Sequence, residues 1–368
     1  MRETFDTTLL LVLLIVLCSG CGSNQSRSWD VLTGKEVLER EGRIAGLGDP
    51  ERFIVRGDTV MYLVDRALNG LHRYDLRTGA LSEGTGLGRG PGEVAQSGRS
   101  YLAPYGQDND QLWLHDTGLQ RITIYSLSLE PIRQMTITGS MRSLPLGDSL
   151  MASVPFGRVG IVDVRRISRR IEGANLTDAL WTYRAKKREA FEVVPNNFVL
   201  KYGPIASCGE IIVAGFDFAS YVLRIRESGG DLLKGAPEEI SFPPPDPDLP
   251  PERARLPTWF NPRATLDLAC DEKHIYALFS GESVSRARAR SLDLAGRLTE
   301  AKRAELSASV RRSDRLHVYD RATGSFVHEV RLPVEARQLA ATENKLYLLV
   351  HEEEGPVILQ YAWTEDYQ

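Results

Sequence analysis

The side chains capable of acid–base or nucleophilic chemistry are scattered through this sequence rather than grouped. Six histidines, His72, His115, His274, His317, His328 and His351, fall in separate apolar stretches. No two have the His-x-x-x-His spacing that places a pair of imidazoles on one helix face for a metal. His72 and His317 occupy equivalent positions in two related segments, which points to packing within a repeated element. Asp65 and Asp116 could serve acid–base work. Asp246 and Asp248 could touch calcium, but two carboxylates alone are too few for its oxygen shell. There is no Gly-x-Ser-x-Gly elbow and no Gly-x-x-x-x-Gly-Lys phosphate loop. The stretch Gly86–Val94 lacks the strand–helix context of a dinucleotide fingerprint. The sequence therefore assigns no catalytic residue, no metal ligand and no cofactor.

What does recur is positive charge. Arg52, Arg99, Arg142, Lys201, Arg263 and Arg337 each stand shortly before a short apolar segment. Those segments are Phe53–Val55, Tyr101–Ala103, Leu144–Leu146, Pro204–Ala206, Leu266–Ala269 and Leu339–Ala341. If they are innermost strands around an axis, the basic residues ring a channel mouth. Focused positive potential there would draw an anionic ligand or an acidic partner surface. The alternative is six solvated strand-end charges. Three long loops fall on the same side: Gly86–Val94 with Arg89 and Glu93, the proline-rich Phe242–Pro262 with Trp259, and Gly281–Arg312. The last has apolar positions at Leu294, Leu298, Ala301 and Leu306, a helical spacing. Long loops on a rigid scaffold commonly carry function, although these could equally serve only to cover sheet edges.

The elements that would position such a mouth repeat along the chain. A polar turn precedes an apolar run at Gly57–Tyr62, Asn109–Leu114, Gly147–Ala152, Cys208–Val213, Glu272–Ala277 and Glu343–Leu348. Turn residues followed by β-branched and aromatic residues signal a hairpin entering a strand. The runs recur about every 57 residues, slightly longer than a typical propeller blade. Outer elements repeat as well: His72–Gly79 and His317–Gly324 share His-x-Tyr-Asp-x-x-Thr-Gly. The last unit lacks an outermost strand, and Lys35–Ala45 is the unassigned strand-like segment. Because a propeller hides its sheet edges, an N-terminal strand is expected to complete that unit. Cys208 and Cys270 fall at equivalent hairpins of neighbouring units and are either a disulfide or two small buried thiols.

Leu112–Tyr125 contains Asp116-Thr117-Gly118-Leu119-Gln120-Arg121-Ile122 and resembles an NHL repeat, which implies a structural bond between Asp116 and Arg121. Gly86–Val94 (Gly-Leu-Gly-Arg-Gly-Pro-Gly-Glu-Val) resembles the Gly-Pro-Gly-Glu-Phe loop of bacterial six-bladed propeller lipoproteins, with Val94 in place of Phe. The expected fold is an all-β, six-bladed β-propeller, with an N-terminal strand closing the last blade and a helical insertion over 281–312 in the fifth.

The N-terminus fits that resemblance. Thr7–Cys18 is an apolar run of signal-peptide length, too short to span a bilayer easily. Ser19-Gly20-Cys21 resembles a lipobox, which implies lipidation of Cys21; a plain cleaved signal is the alternative. The expected organisation is a signal over 1–20, an anchored tether over 21–34 and a propeller over 35–368. A net charge of −4, with 26% charged and 42% hydrophobic residues, is ordinary globular composition and does not point to nucleic acid. The resulting expectation is a non-catalytic binding or scaffold protein. It would be held by lipid in the cell envelope, at the outer membrane facing the periplasm, with an unknown protein or small anionic ligand as partner. The alternative is a metal-dependent lactonase or NHL-type lyase.

Overall fold

The computed structural model describes residues 31–96, 98–137, 139–155, 161–166, 179–184, 202–216, 222–226, 229–233, 265–280, 299, 301 and 311–364. In chain order, β1 (Val31–Thr33), the single-turn α1 (Gly34–Val37) and β2 (Leu38–Ile44) precede β3 (Pro50–Arg56), β4 (Val60–Asp65), β5 (Gly70–Asp75) and β6 (Leu81–Thr85). The next meanders are β7 (Ser100–Tyr105), β8 (Gln111–Asp116), β9 (Arg121–Ser126) and β10 (Pro131–Thr136), then β11 (Ser140–Leu146), β12 (Leu150–Pro155), β13 (Ile161–Arg166) and β14 (Ala179–Arg184). They are followed by β15 (Tyr202–Cys208), β16 (Ile211–Phe216), β17 (Val222–Arg226) and β18 (Gly229–Leu232). The remaining strands are β19 (Thr265–Cys270), β20 (His274–Phe279), β21 (Ser313–Asp320), β22 (Phe326–Ala336), β23 (Gln338–Ala341), β24 (Lys345–Glu352) and β25 (Gly355–Trp363).

The apolar runs are continuous rather than alternating because each sheet is covered on both faces. In β4, Met61 and Leu63 pack with Tyr347, Leu349 and Ile358. The intervening Tyr62 and Val64 pack with Leu112, Leu114 and Tyr125 on the other side. Side chains two apart share a face, so one strand feeds two inter-sheet cores. Trp113 turns from β8 into the next core, beside Met151 and Ile205. The innermost strands β3, β7, β11, β15, β19 and β23 each touch the next, and β23 touches β3. Antiparallel meanders whose inner strands close a circle make a β-propeller.

The expected six-bladed arrangement with a helical insertion is corrected. Five sheets are four-stranded blades, whereas the sheet built on β19–β22 is five-stranded, in the order β1-β22-β21-β20-β19. The physical reason is that the N-terminal segment contributes two strands, where the strand count from sequence allowed one. Val31, Leu32 and Thr33 add to β22 in parallel, in register with Glu329, Val330 and Arg331. After α1, β2 pairs antiparallel with β25, from Leu38↔Trp363 to Ile44↔Ile358, and is the outermost strand of the sheet β2-β25-β24-β23. Among the described residues the one α-helix is α1, of four residues. Gly281–Arg312, where helix was expected, lies outside the described residues except for 299, 301, 311 and 312.

The turns that join inner to second strands form one face of the ring, and neighbours are tied there. Asp58 accepts hydrogen bonds from Thr342 Oγ1, from Tyr347 (3.2 Å) and from Asn344 (3.4 Å). The hydroxyl of Tyr105 donates to Asp148 O at 3.0 Å, and Gly147 N–H donates to Gly209 O at 3.3 Å. Cys208 and Cys270 are disulfide-bonded, with Cα atoms 5.9 Å apart and 62 positions of sequence between them. Arg321 adds donations to Asp271 O and Cys208 O.

Candidate functional site: the inner-strand rim

At the opposite end, where the inner strands begin, a register of polar side chains emerges. The pairing of each inner strand with its neighbour sets Arg52 opposite Val64, Tyr101 opposite His115, Arg142 opposite Val154, Asp267 opposite Leu278 and Gln338 opposite Leu349. Each partner lies four residues into its second strand, so these five occupy one level of the ring. Three of them directly follow a register shift, at Pro50/Arg52, Ser140/Arg142 and Thr265/Asp267. A β-bulge kinks its strand and re-aims the side chain beyond it. The repeated bulge therefore turns Arg52, Arg142 and Asp267 at the rim.

Arg52 reaches across to a non-neighbouring sheet and pairs with Asp267. The Asp267 carboxylate is fully buried and also accepts Leu339 N–H at 2.9 Å. Burial opposes the charge on Arg52, and Asp267 outweighs it and raises the guanidinium pKa. Arg142, itself buried, donates from Nε to the Tyr101 hydroxyl at 2.9 Å, with its guanidinium 5.7 Å from the Tyr101 ring centre. Burial disfavours ionisation of Tyr101, but the charges of Arg142, Arg99 and Arg52 prevail and hold the phenol below its usual range. Of the basic residues singled out from sequence, Arg142 therefore touches Tyr101 directly and Arg52 stands at the same level of the rim.

Below this rim a cavity of about 110 Å³ runs between the inner strands. Arg52 and Tyr101 line it, together with mostly apolar residues such as Ile54, Pro104, Ala206 and Leu268, and it extends to Ser207 and Cys270.

The other sequence candidates separate. Arg99 is exposed, and its N–H donates to Thr117 Oγ1 at 2.8 Å. Arg337 bonds Asp49 Oδ1 and Pro50 O, both at 3.0 Å, and so joins the last sheet to the first. Lys201, Arg263 and Trp259 lie outside the described residues. Arg89 is exposed on the glycine loop, whereas Glu93 turns inward to accept from Gly90 N–H. The close fit of Glu93 explains Gly88, where a Cβ would sit 2.0 Å from that carboxylate. Arg121 donates to Gly90 O at 3.1 Å and to Glu93 O, and Tyr125 donates to Gly92 O at 2.9 Å, so blade two holds this loop.

The expected Asp116–Arg121 bond is replaced by a division of labour. Asp116 accepts from Ala95 N–H (2.6 Å), Gly118 N–H (2.9 Å) and Leu119 N–H (3.2 Å), while Arg121 serves the loop carbonyls. Asp65 does the same for Gly48, Asp49, Ala67 and Leu68. Neither aspartate is presented for acid–base chemistry. His115 is buried, accepts Ser143 N–H at Nδ1 (2.9 Å) and is pushed down to about 4 by burial, so it is neutral at pH 7.

A second buried polar cluster lies in the five-stranded sheet. Glu329 accepts from His317 Nε2 (3.1 Å) and pairs with Arg315 (2.8 Å) and with Arg331 Nε (2.8 Å). Burial alone would raise the pKa of Glu329, but the bonds from His317 and Arg315 win and bring it down to about 2. His317 stacks on Phe279, with centroids 4.5 Å apart.

Sequence reasoning missed Tyr101 and Gln338 as members of the ring and gave Asp267 only a minor part. Counting back from each apolar segment hides the bulges. Counting four residues into the second strand and crossing the ladder would have found all five.

No known protein family matches the sequence, and no curated protein matches it. Among solved structures, a putative exported protein from Bacteroides fragilis is similar with a TM-score of 0.53 and 11% identity, over 91% of this chain and 97% of that one. Looser likenesses are to a catalytically inactive virginiamycin B lyase from Staphylococcus aureus (TM-score 0.45, 12% identity, 86% of this chain and 82% of that one) and to BamB from Moraxella catarrhalis (0.36, 12%, 84% and 83%). At 11% identity the likeness to the B. fragilis protein is one of fold.

Proposed function

We propose that this chain is an extracytoplasmic, lipid-anchored propeller that binds an anionic ligand at its inner-strand rim without performing catalysis on it. The observation that carries the reading is geometric: Arg52 and Arg142 stand at one level of the rim, Arg142 Nε donates to the Tyr101 hydroxyl at 2.9 Å, and Arg52 and Tyr101 line the edge of a cavity. Fixed positive charge beside low-dielectric walls concentrates anions. Export and anchoring rest on the apolar Thr7–Cys18 run and Ser19-Gly20-Cys21, and the similar B. fragilis protein is described as exported. The enzyme alternative needs several carboxylates or amides free at the axis. Among the described residues the carboxylate at this level is Asp267, engaged by Arg52 and Leu339 N–H, and the amide is Gln338, whose Nε2 donates to Glu51 O.

Two experiments test this reading. Cys21→Ser should move the protein from the membrane to the soluble fraction or block its processing; a processed mutant still in the membrane fraction would contradict the anchor. Arg99→Glu with Arg337→Glu should weaken binding of inorganic phosphate and flatten its salt dependence. Arg142 is unsuited to charge reversal because it is buried against Tyr101. Unchanged phosphate binding and salt dependence in the double variant would refute the anionic rim.

A further inference from the structure

The cavity beneath the rim leads to a disulfide. Arg52 and Tyr101 line it at one end, Ser207 and Cys270 at the other. Along β3 it follows four successive residues, Arg52 to Val55, a rise of about 10 Å in a strand. About 110 Å³ spread over that length makes a slender channel, smaller than the apolar cavity of about 150 Å³ that holds benzene. Most of its residues are apolar, yet its wall is close to evenly polar and apolar. Each inner strand ends its sheet, so its open backbone edge supplies polar groups to the axis. Such a channel admits a small hydrated anion.

The two sulfurs at its foot are not equivalent. Cys270 is half-buried and lines the cavity, whereas Cys208 is buried in the core that holds Ile275 and Tyr319. The guanidinium of Arg321 is fixed beside Cys208, donating to Cys208 O and to Asp271 O. A neighbouring guanidinium favours a thiolate, and a stabilised thiolate leaves faster in disulfide exchange. Cys270 Sγ is thus the sulfur presented for attack and Cys208 Sγ the leaving group.

We infer that hydrosulfide enters through the cationic rim and opens Cys208–Cys270, leaving a persulfide on Cys270. The sulfur of HS⁻ bonds to Cys270 Sγ and the Sγ–Sγ bond breaks. Its electron pair goes to Cys208 Sγ, which leaves as a thiolate and takes a proton from water. The attacking sulfur is oxidised as the Cys208 sulfur is reduced, so the step needs no other reagent. Hydrosulfide is largely ionised at neutral pH and brings its nucleophilic sulfur with no tail, which suits a narrow channel behind a positive mouth. This rests on the anionic-rim reading and specifies the ligand for it. Persulfidation is reversible: the Cys208 thiolate re-forms the bond by expelling hydrosulfide. The staple between the β15 and β19 sheets is then opened by sulfide and closed by its removal.

The test incubates the full chain with sodium hydrosulfide, quenches with iodoacetamide and locates the added sulfur by peptide mass spectrometry. The comparison is 2-mercaptoethanesulfonate, an anionic thiol with more heavy atoms than benzene, at matched thiolate concentration. Hydrosulfide should place its sulfur on Cys270, and the larger thiol should react at least about tenfold more slowly. Arg99→Glu with Arg337→Glu should slow the hydrosulfide reaction about tenfold at low salt and flatten its salt dependence. Ala206→Leu, at a half-buried lining position, should block the reaction while phosphate binding and cooperative urea unfolding persist. Equal rates for the two thiols, or an unchanged hydrosulfide rate in either variant, would mean that the sulfur is reached from the turn face and would overturn the inference. Added sulfur on Cys208 would overturn it as well. Phosphate binding without any hydrosulfide reaction would overturn it and leave the anionic rim standing. Absence of phosphate binding together with a hydrosulfide rate indifferent to the rim charges would overturn both readings.

Discussion

Replacing Glu329 with Gln removes one negative charge from a cluster built around it. The side chain is 3% exposed, and its oxygens take Arg315, Arg331 and His317. Gln keeps the shape but turns one acceptor into a donor facing other donors, and removes the anion that Arg315 and Arg331 share, with Arg331 keeping Asp314 at 3.5 Å. The magnitude follows from linkage. A carboxyl whose pKa falls from 4.5 in the unfolded chain to about 2 in the fold stabilises the fold by about 3 kcal/mol when both states are ionised. The sign is that of a depressed acid. The contribution is present in full above about pH 5, is about half gone near pH 3 and vanishes below pH 2. Urea denaturation followed by tryptophan fluorescence, for wild type and Glu329→Gln between pH 7 and pH 3, measures it. The gap between the two proteins should be about 3 kcal/mol at pH 7 and should narrow steadily as pH falls below 4.5. A gap under about 1 kcal/mol at pH 7, the value of an ordinary hydrogen bond, would refute the reasoning. So would a gap that does not change with pH.

Reducing Cys208–Cys270, or replacing both with Ser, should lower stability by about 4 kcal/mol if the 62-position separation sets the entropy of the reduced chain; thermal melts with and without reductant measure it. Arg121→Lys cannot reach both Gly90 O and Glu93 O with a planar fork, so amide hydrogen exchange should quicken within Gly86–Val94 and stay unchanged in β15–β17. Tyr125→Phe removes the bond to Gly92 O and should lower stability by about 1 kcal/mol, readable in the same urea titration.

The propeller class was legible because its signal is local and repeated. Gly57-Asp58-Thr59 before Val60–Tyr62, and Asn109-Asp110 before Leu112–Leu114, each specify a hairpin by turn residues and β-propensity. The matching Asp75–Gly79 and Asp320–Gly324 turns are the same in atomic detail: Asp75 Oδ1 caps Thr78 N–H and Asp320 Oδ1 caps Thr323 N–H. The count of equivalent blades was not legible. β1 is three residues long, pairs in parallel with a strand nearly 300 positions away, and carries no alternation to announce it. The rim was legible in part. Charge at Arg52 and Arg142 was visible, but bulges move a register by one residue and leave no mark in composition, so Tyr101 and Gln338 stayed hidden among apolar neighbours. Asp116 shows the limit of a motif: the residues matched and the bonds went elsewhere.

The pairing of β2 with β25 has a consequence for the order in which the molecule comes into being. Thr364 Oγ1 donates to Glu36 O across 328 positions, and the ladder from Leu38↔Trp363 to Ile44↔Ile358 lies beside it. During synthesis β2 is made more than 300 residues ahead of the strand it pairs with. Contacts this distant are slow to form because loop closure must precede any gain. Until β25 arrives, β2 is an open edge, and its exposed Glu39, Arg40 and Glu41 are the charged residues that keep such an edge from pairing with another chain. Completion of this sheet therefore waits on β25, and a chain that lacks it leaves β2 without its ladder partner.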